Sequence, residues 1–430
     1  MDGCVKIGIK TSGPKGDALS EKEFSFYRVQ TREQALARLD GFDRLPAREA
    51  ALDRALDRVL AGDLTAGEDL PSFVRSTVDG FAVRAKETFG AAESLPALFE
   101  LEGEVAMGRP AEARVGPGRA VRIWTGGMLP QGADAVVMLE YSRVLDGTGL
   151  ELTKAVAPGS NTIEVGEDVA QGEPILTAGT RLRPQELGLL AALGLTKVKV
   201  VRRPKAAVIS TGSELVPADQ NPGPGLIRDV NSHTLAAQIR RAGGEPLDLG
   251  LVPDDREEIR ELIGRGLERA DAVLVSGGSS VGAADWTLKT FMSFPGAELL
   301  VHGVSISPGK PLILVRVGQK SLWGLPGHVA SAMISFELFL KPFLSRRLQG
   351  ERGPGPLPIR AELTRNLASA QGREDWVRVR LEGGPDRFRA VPVLGPSGLI
   401  STLVRADGLV MIDLESEGLE AGETVQVHLI

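Results

Sequence analysis

The feature that most constrains this chain is the run VLVSGGSSVG at residues 273–282. A short apolar run of β-branched character stops in a loop of glycines and serines. The stretch AADWTLK at 283–289 then reads as a helix start, with Asp285 in its first turn. Strand, small-residue loop and helix together aim backbone N–H groups and a positive helix end at an anion. Glycine allows the tight turn and the close approach of backbone to ligand. The serines add hydroxyl donors.

Four more runs end in the same way. Residues 206–210 lead into Thr211-Gly212-Ser213-Glu214, and residues 247–252 into Pro253-Asp254-Asp255. Residues 304–306 lead into Ser307-Pro308-Gly309-Lys310-Pro311, and residues 322–324 into Leu325-Pro326-Gly327-His328. Helical patterns intervene: Asn231 caps one that stops at Gly243-Gly244, and Asp254 or Asp255 caps another, with Glu257 and Glu258 placed for a capping box. Strands alternating with helices predict a central three-layer α/β/α domain over residues 204–350 with a mostly parallel sheet. In such a sheet the loops after the strands gather at one edge, where ligands bind. Five loops rich in Gly, Ser, Thr, Asp and Lys are therefore expected to share one crevice.

At 430 residues the chain is too long for one core. A net charge of −6 gives no sign of a nucleic-acid or membrane-surface role. Cys4, the single cysteine, excludes an internal disulfide and any cysteine-clustered metal site. No apolar run approaches the roughly 20 residues that span a bilayer, and no signal-peptide apolar region opens the chain. The expected location is the cytoplasm.

Residues 1–27 carry no periodic apolar face and read as a flexible extension. Residues 31–39 read as a helix with a Thr31–Gln34 capping box, and residues 50–60 as a second helix with Leu52, Ala55, Leu56 and Val59 on one stripe. Residues 28–70 and 155–203 are expected to form a discontinuous domain, with a small β domain inserted at 71–154. That insertion opens on PSFVRSTVDGFAV (71–83), where Asp79-Gly80 alone would be ordinary turn chemistry. After a Gly/Pro-rich linker, residues 351–430 alternate polar and apolar positions and read as a C-terminal β domain. Its one loop of anion-binding character contains Ser397.

Taken in order, several segments resemble the molybdopterin molybdenumtransferase family, which includes the E domain of gephyrin. They are STVDGFAV (76–83), WTG (124–126), GED (166–168), STGSEL (210–215), SGG with VG (276–282), PGKP (308–311) and LPG (325–327), and the resemblance covers about residues 29–430. It implies a four-domain, elongated homodimer with sites shared between subunits. It also implies insertion of molybdate into molybdopterin, supplied in adenylylated form, with release of AMP and help from Mg2+. An adenylyltransferase of the same pathway is the implied protein partner.

The residues suit that chemistry. The adenylylated pterin needs a phosphate-binding crevice, and Thr211, Gly212, Ser276, Gly277, Gly278, Ser279, Gly282, Pro308, Gly309, Pro326, Gly327 and Ser397 are the expected binding residues. Cleaving the adenylate anhydride requires charge neutralisation on the leaving phosphate. Lys310 is the obvious cation. Mg2+ takes one or two carboxylates, waters and substrate phosphate, and Asp79, Asp168, Glu214, Asp254 and Asp285 are the carboxylates offered to it; Asp255 also stands in a loop. The expected catalytic set is Asp79, Thr125, Glu214, Asp285 and Lys310, with Asp79 and Thr125 placed in the active site by the resemblance. Three positions depart from the family pattern: Ser307 stands where Lys or Arg is usual, Ser213 where an acidic residue is common, and His328-Val329 where Asn-Pro is usual. The alternative reading is a non-catalytic pterin- or nucleotide-binding scaffold, or a divergent paralogue such as one preferring tungstate. His233, His302 and His428 have no partner at ligand spacing and receive no role.

Overall fold

The computed structural model describes residues 29–145, 147–277, 281–384 and 387–430, with the backbone alone at 281–285. The expected extension at 1–27, Gly278, Ser279 and the Asp285 side chain lie outside the described residues. The chain divides into two compact units, one of residues 47–201 and the other of the remainder.

The larger unit is built on six strands: β1 (Lys205–Thr211), β2 (Glu245–Val252), β3 (Ala272–Ser276), β4 (Ala297–His302), β5 (Ile313–Val317) and β6 (Lys320–Leu325). Their spatial order is β2-β1-β3-β6-β5-β4. The first four are parallel; β5 runs antiparallel to β6, and β4 antiparallel to β5. Alternate residues of β1 and β3 feed different cores. Ala206, Val208 and Leu274 pack with Leu235 and Ile239 of α1 (Asn231–Arg241) and with Trp323, Phe336 and Phe343. Ala207, Ile209, Val273 and Val275 pack with Ile263 of α2 (Arg256–Arg269) and with Leu288 and Phe291 of α3 (Val281–Met292). Burial on both faces is why these strands are continuous apolar runs rather than alternating ones. Each fully buried Val, Leu or Phe contributes about 1.5–3 kcal/mol.

The expected strand at 304–306 joins a different sheet. Ile306–Ser307 pairs with Glu374–Asp375 of the C-terminal region, while β4 and β5 form the edge of the central sheet. Helix α3 begins two residues earlier than expected, at Val281. Asp255 caps α2 by accepting from the N–H groups of Glu257 and Glu258, both at 3.0 Å. Asn231 does not cap α1; Asp229 Oδ1 accepts from Ser232 N–H at 3.2 Å instead. Residues 329–348 continue from α4 (Val329–Ser335) through two π-helical segments, Phe336–Leu340 and Phe343–Leu348.

Beyond 358, Ile359–Leu363, Glu374–Gly384, Arg387–Pro392, Gly408–Ile412 and Thr424–Leu429 form a sheet whose strand 408–412 also pairs back onto 374–384. That pairing closes the ring around Leu363, Val379, Ala390, Val410 and Val427. Closure leaves fewer free edges.

In the smaller unit a six-stranded sheet runs Ala135–Met138, Gly80–Val83, Arg119–Ile123, Ala97–Glu104, Gly149–Leu152, Ser142–Val144 in spatial order. Phe81 and Ala82 face separate apolar clusters, as the two-residue period of a strand demands. The helix expected over 50–60 is absent. Ala47–Ala51 is a strand paired with Lys197–Val201, followed by a 3-10 turn at Leu52–Arg54. The Leu/Ala stripe has helical spacing, but Val198 and Val200 offer a sheet partner that buries Ala55 and caps the cluster of Leu182 and Leu190. Asp57 takes a positive φ of 60°, which no helix permits. Tertiary pairing outweighs a propensity difference of a few tenths of a kcal/mol per residue.

Candidate active site

The register of the central sheet places its functional loops. Ser210 lies beside Ser276, Ser276 beside Leu325, and Thr211 beside Val252. The loops after β1, β2, β3 and β6 therefore leave from one edge. Ile313, at the start of β5, lies opposite Gly324. Because β5 is antiparallel, the loop that enters it, Pro308-Gly309-Lys310-Pro311, reaches that same edge. A cavity there is lined by Gly277, Thr287, Pro311, Ile313, Leu325 and Pro326.

Glycine is required at two points of this edge. Gly277 has φ +152°, and a Cβ on it would lie 2.1 Å from Thr211 Oγ1 and 2.2 Å from the Thr211 carbonyl oxygen. Gly212 has φ +155°, and a Cβ there would meet the Glu214 carboxylate at 2.7 Å. Glu214 thus folds back over its own loop. Ser213 Oγ accepts from the Asp254 N–H at 3.3 Å, which ties the loops after β1 and β2 together. Asp254 is exposed and does not cap α2.

Sequence reasoning missed what holds the edge together. Asn231 Nδ2 donates to Ser276 Oγ at 2.6 Å and to the Gly327 carbonyl at 2.8 Å, joining the start of α1 to the ends of β3 and β6. Asp229 is buried and accepts from Ser210 Oγ at 3.1 Å. The signal available was an Asp-x-Asn pair at a helix start, where one cap suffices.

Lys310 is exposed, and among the described residues it has no ion-pair partner. Its carbonyl accepts from Val304 N–H at 2.9 Å, closing the loop. Gly309 is pressed against its surroundings, since a Cβ there would lie 2.7 Å from Ser335 Oγ and 2.8 Å from Ile306. Ser307, one of the departures from the family pattern, sits in the short strand beside Asp375.

The Ser397 loop meets α4. Ser397 Oγ is 3.1 Å from His328 Nδ1, and the Ser397 carbonyl accepts from Ala330 N–H at 2.9 Å. Arg378 donates to the Gly395 carbonyl at 2.6 Å and to Thr402 Oγ1 at 2.5 Å. Burial lowers the pKa of Arg378. Arg378 lies two residues from buried Trp376, on the strand face opposite Val377 and Val379, and that spacing to a core tryptophan is the signal by which it could have been found.

In the smaller unit Asp79 is not a bare turn residue. Its Oδ1 accepts from Thr125 N–H at 2.8 Å and Thr125 Oγ1 at 2.7 Å. The Thr125 backbone N–H, then its hydroxyl, hold the Asp79 carboxyl below its ordinary pKa, with Arg122 adding attraction. Gly80 is demanded by packing, since a Cβ would lie 2.0 Å from the Val137 carbonyl oxygen. Ser76 Oγ bridges the backbone of Val78, and Ser76 N–H donates to the Gly127 carbonyl at 3.0 Å, so the two motif loops brace each other. Asp168 is exposed in a turn whose capping carboxylate is Glu167, which accepts from Glu164 N–H at 2.7 Å.

Among the described residues no three His, Cys, Asp or Glu groups converge as a metal cage. Mg2+ needs no such cage, because it keeps waters and takes substrate phosphate oxygens. Glu214 and Asp254, on loops that touch, fit that lighter demand.

An α/β unit whose strand-end loops gather at one edge of a mostly parallel sheet, joined in one chain to a closed C-terminal sheet, defines the class. Residues 30–194 match the MoeA N-terminal region (domain I and II), residues 207–346 a probable molybdopterin binding domain, and residues 360–430 the MoeA C-terminal region (domain IV). The chain is 34% identical over 403 residues to the molybdopterin molybdenumtransferase of Bacillus subtilis, covering 93% of each. It is 34% identical over 381 residues to that of Haemophilus influenzae, covering 88% of this chain and 92% of the other. The molybdopterin biosynthesis MoeA protein of Pyrococcus horikoshii superposes with a TM-score of 0.78 at 36% identity, over 94% of this chain and 99% of that one. The chain belongs to the molybdopterin molybdenumtransferase family, and it is an enzyme of that family. No described helix is long and apolar enough to cross a membrane.

Proposed function

We propose that this enzyme inserts molybdate into molybdopterin, taking the adenylylated pterin and molybdate as substrates and releasing AMP in a Mg2+-dependent reaction. The observation that carries the reading is the single edge at which Thr211–Glu214, Ser276–Gly277, Gly309–Pro311 and Pro326–Gly327 meet. Gly277 lets the loop after β3 lie directly against the end of β1, since a Cβ there would meet the Thr211 carbonyl oxygen at 2.2 Å. Lys310, without an ion-pair partner among the described residues, supplies positive charge to a bound phosphate. Glu214 and Asp254, with Asp285, are assigned to hold Mg2+, which when bound neutralises charge on the leaving phosphate. Asp79 enters as a carboxylate held ionised by Thr125, and it serves to position a cation or the oxyanion substrate. Ser397, braced by Arg378 and His328, offers a hydroxyl to the anion.

The reading extends to a cytoplasmic homodimer whose sites are shared between subunits, working beside an adenylyltransferase. Family membership supports these points. It also favours an inserted β domain (71–154), a three-layer domain (204–350), a C-terminal domain (351–430) and a discontinuous domain (28–70 with 155–203), whose residues 35–42 pack against the core of the larger unit.

The test is incubation of the purified chain with adenylylated molybdopterin, molybdate and Mg2+. AMP release dependent on both ions is expected. Tight pterin binding with no AMP would replace this reading with that of a non-catalytic scaffold.

A further inference from the structure

The Lys310 loop is anchored by a joint in which two distant parts of the larger unit meet. Gln30 N–H donates to the Gly303 carbonyl at 3.1 Å, and Ser305 N–H donates to the Gln30 carbonyl at 2.8 Å. Gln30 Nε2 reaches the Leu300 carbonyl at 3.0 Å. On the other side Glu374 N–H donates to the Ser305 carbonyl at 2.8 Å, and Ile306–Ser307 pairs with Glu374–Asp375. The segment 303–307 is thus held between residue 30 and residue 374. Lys310 follows three residues later, tied back by Val304.

An ion pair between half-buried Arg32 and buried Glu374 locks this joint. Arg32 Nε donates to both Glu374 oxygens, at 2.9 and 3.2 Å, and Trp376 Nε1 donates to Glu374 Oε2 at 3.0 Å. The Glu374 side chain is 3% exposed, and the Arg32 guanidinium lies 5.8 Å from the Trp376 ring centre. A buried carboxylate at a strand junction is costly unless paired, and simple stability is better served by apolar packing. In some proteins such a pair fixes one arrangement over another.

We infer that Arg32 and Glu374 are positioning residues for the reaction: by clamping segment 303–307 they set where Lys310 meets the bound phosphate. The clamp acts through Lys310 alone, so it rests on the role given to Lys310 above. Glu374→Gln keeps shape and leaves hydrogen-bonding atoms, but removes the charge that fixes Arg32. Arg32→Lys keeps the charge and loses the fixed fork geometry.

The experiment is a double-mutant cycle on AMP release from adenylylated molybdopterin, with KM and kcat measured separately and thermal unfolding as a control. Glu374→Gln in the otherwise native chain is expected to raise KM about five-fold with kcat held within a factor of two, the scale of a coupled pair. In the Lys310→Ala background the same change is expected to leave KM unaltered, because the group it positions is gone. Arg32→Lys, which keeps a cation beside Glu374, provides a milder second variant and should behave alike at smaller size. Equal KM ratios in both backgrounds, or a loss of active fraction alone, would make the pair merely structural and overturn the inference. A native KM for Lys310→Ala by itself would instead overturn the role given to Lys310, and the inference with it.

Discussion

Gly277→Ala is the sharpest test of the crevice. A Cβ at this position would stand 2.1 Å from Thr211 Oγ1, 2.2 Å from Thr211 O and 3.0 Å from the Thr211 carbonyl carbon. The hydroxyl can rotate away. The carbonyl cannot, because Thr211 ends β1 in register with Val252 of β2. The methyl group must therefore push the 276–277 turn off the sheet edge or part the two strand ends. Overpacking of this kind costs roughly 1–3 kcal/mol. The φ of +152° adds about 1–2 kcal/mol for any residue with a Cβ. The sum is about 2–5 kcal/mol, which corresponds to a fall in Tm of roughly 5–15 °C for a unit of this size. The displaced turn lines the cavity, so the KM of AMP release should rise by at least about ten-fold, as for any misplacement of a binding group. Gly372→Ala is the control, for Gly372 also has a positive φ (+87°) but open space around it. It should lose only the strain contribution and keep a native KM. Thr211→Ala in the Gly277→Ala background removes the hydroxyl contact and leaves the carbonyl one, so rescue should be partial. A Gly277→Ala enzyme with native Tm and KM would refute the close approach, and full rescue by Thr211→Ala would refute the part assigned to the backbone.

Lys310→Ala should weaken binding of adenylylated molybdopterin by roughly 10- to 100-fold, the range for losing a charge-assisted hydrogen bond; titration checks it, and unchanged affinity removes Lys310 from the site. Asp79→Asn should leave Tm near native while AMP release falls about 100-fold, as for loss of a contact made in the transition state. Thr125→Ala tests how Asp79 is held. The folded pKa of Asp79 is depressed, so ionisation of this group favours the fold above the ordinary aspartate pKa, and that contribution is lost as pH falls through the lower folded value. The acid limb of the rate profile should accordingly lie below pH ~4 in the native enzyme and move up toward it in Thr125→Ala, which loses the hydroxyl donor but keeps the N–H. An unmoved limb would show that another group controls it. Truncation of residues 1–26 should leave Tm and AMP release unchanged, because the Gln30 and Arg32 contacts remain; a large loss of either would show that the removed stretch takes part in the fold.

What the chain shows locally and what it shows only when folded divide by distance along it. Patterns that a few residues carry were legible. The apolar runs of β1, β3 and β6 named strands buried on both faces, because only such strands tolerate no polar residue on either side. The Thr31–Gln34 capping box formed, with the Gln34 N–H at 3.2 Å and the Thr31 N–H at 3.0 Å from the opposing side chains. Asp255 capped α2, as its spacing to Glu258 allowed. The small-residue loops were recognisable because glycine and serine after a buried strand have few other uses.

What remained hidden depended on partners far away in the sequence. Residues 50–60 carry a helical stripe, yet pairing of residues 47–51 with the strand at 197–201 claimed its start. Nothing local tells an alanine-rich segment that such a partner exists. Asn231 looked like a cap, and it was the approach of the ends of β3 and β6 that gave its amide two other acceptors. The short strand before Pro308 left the central sheet for the C-terminal one, and the Lys310 loop still reached the crevice because β5 reverses direction. Asp79 finds Thr125 46 positions away, and Arg32 finds Glu374 342 positions away. By itself, then, the amino-acid order determined which stretches are buried strands and where the Thr31 and Asp255 caps begin helices, since these follow from side-chain chemistry within one or two turns. The tertiary structure alone decided which loops meet and which charges pair, because strand register and the direction of each connection are settled by the packing of the whole unit.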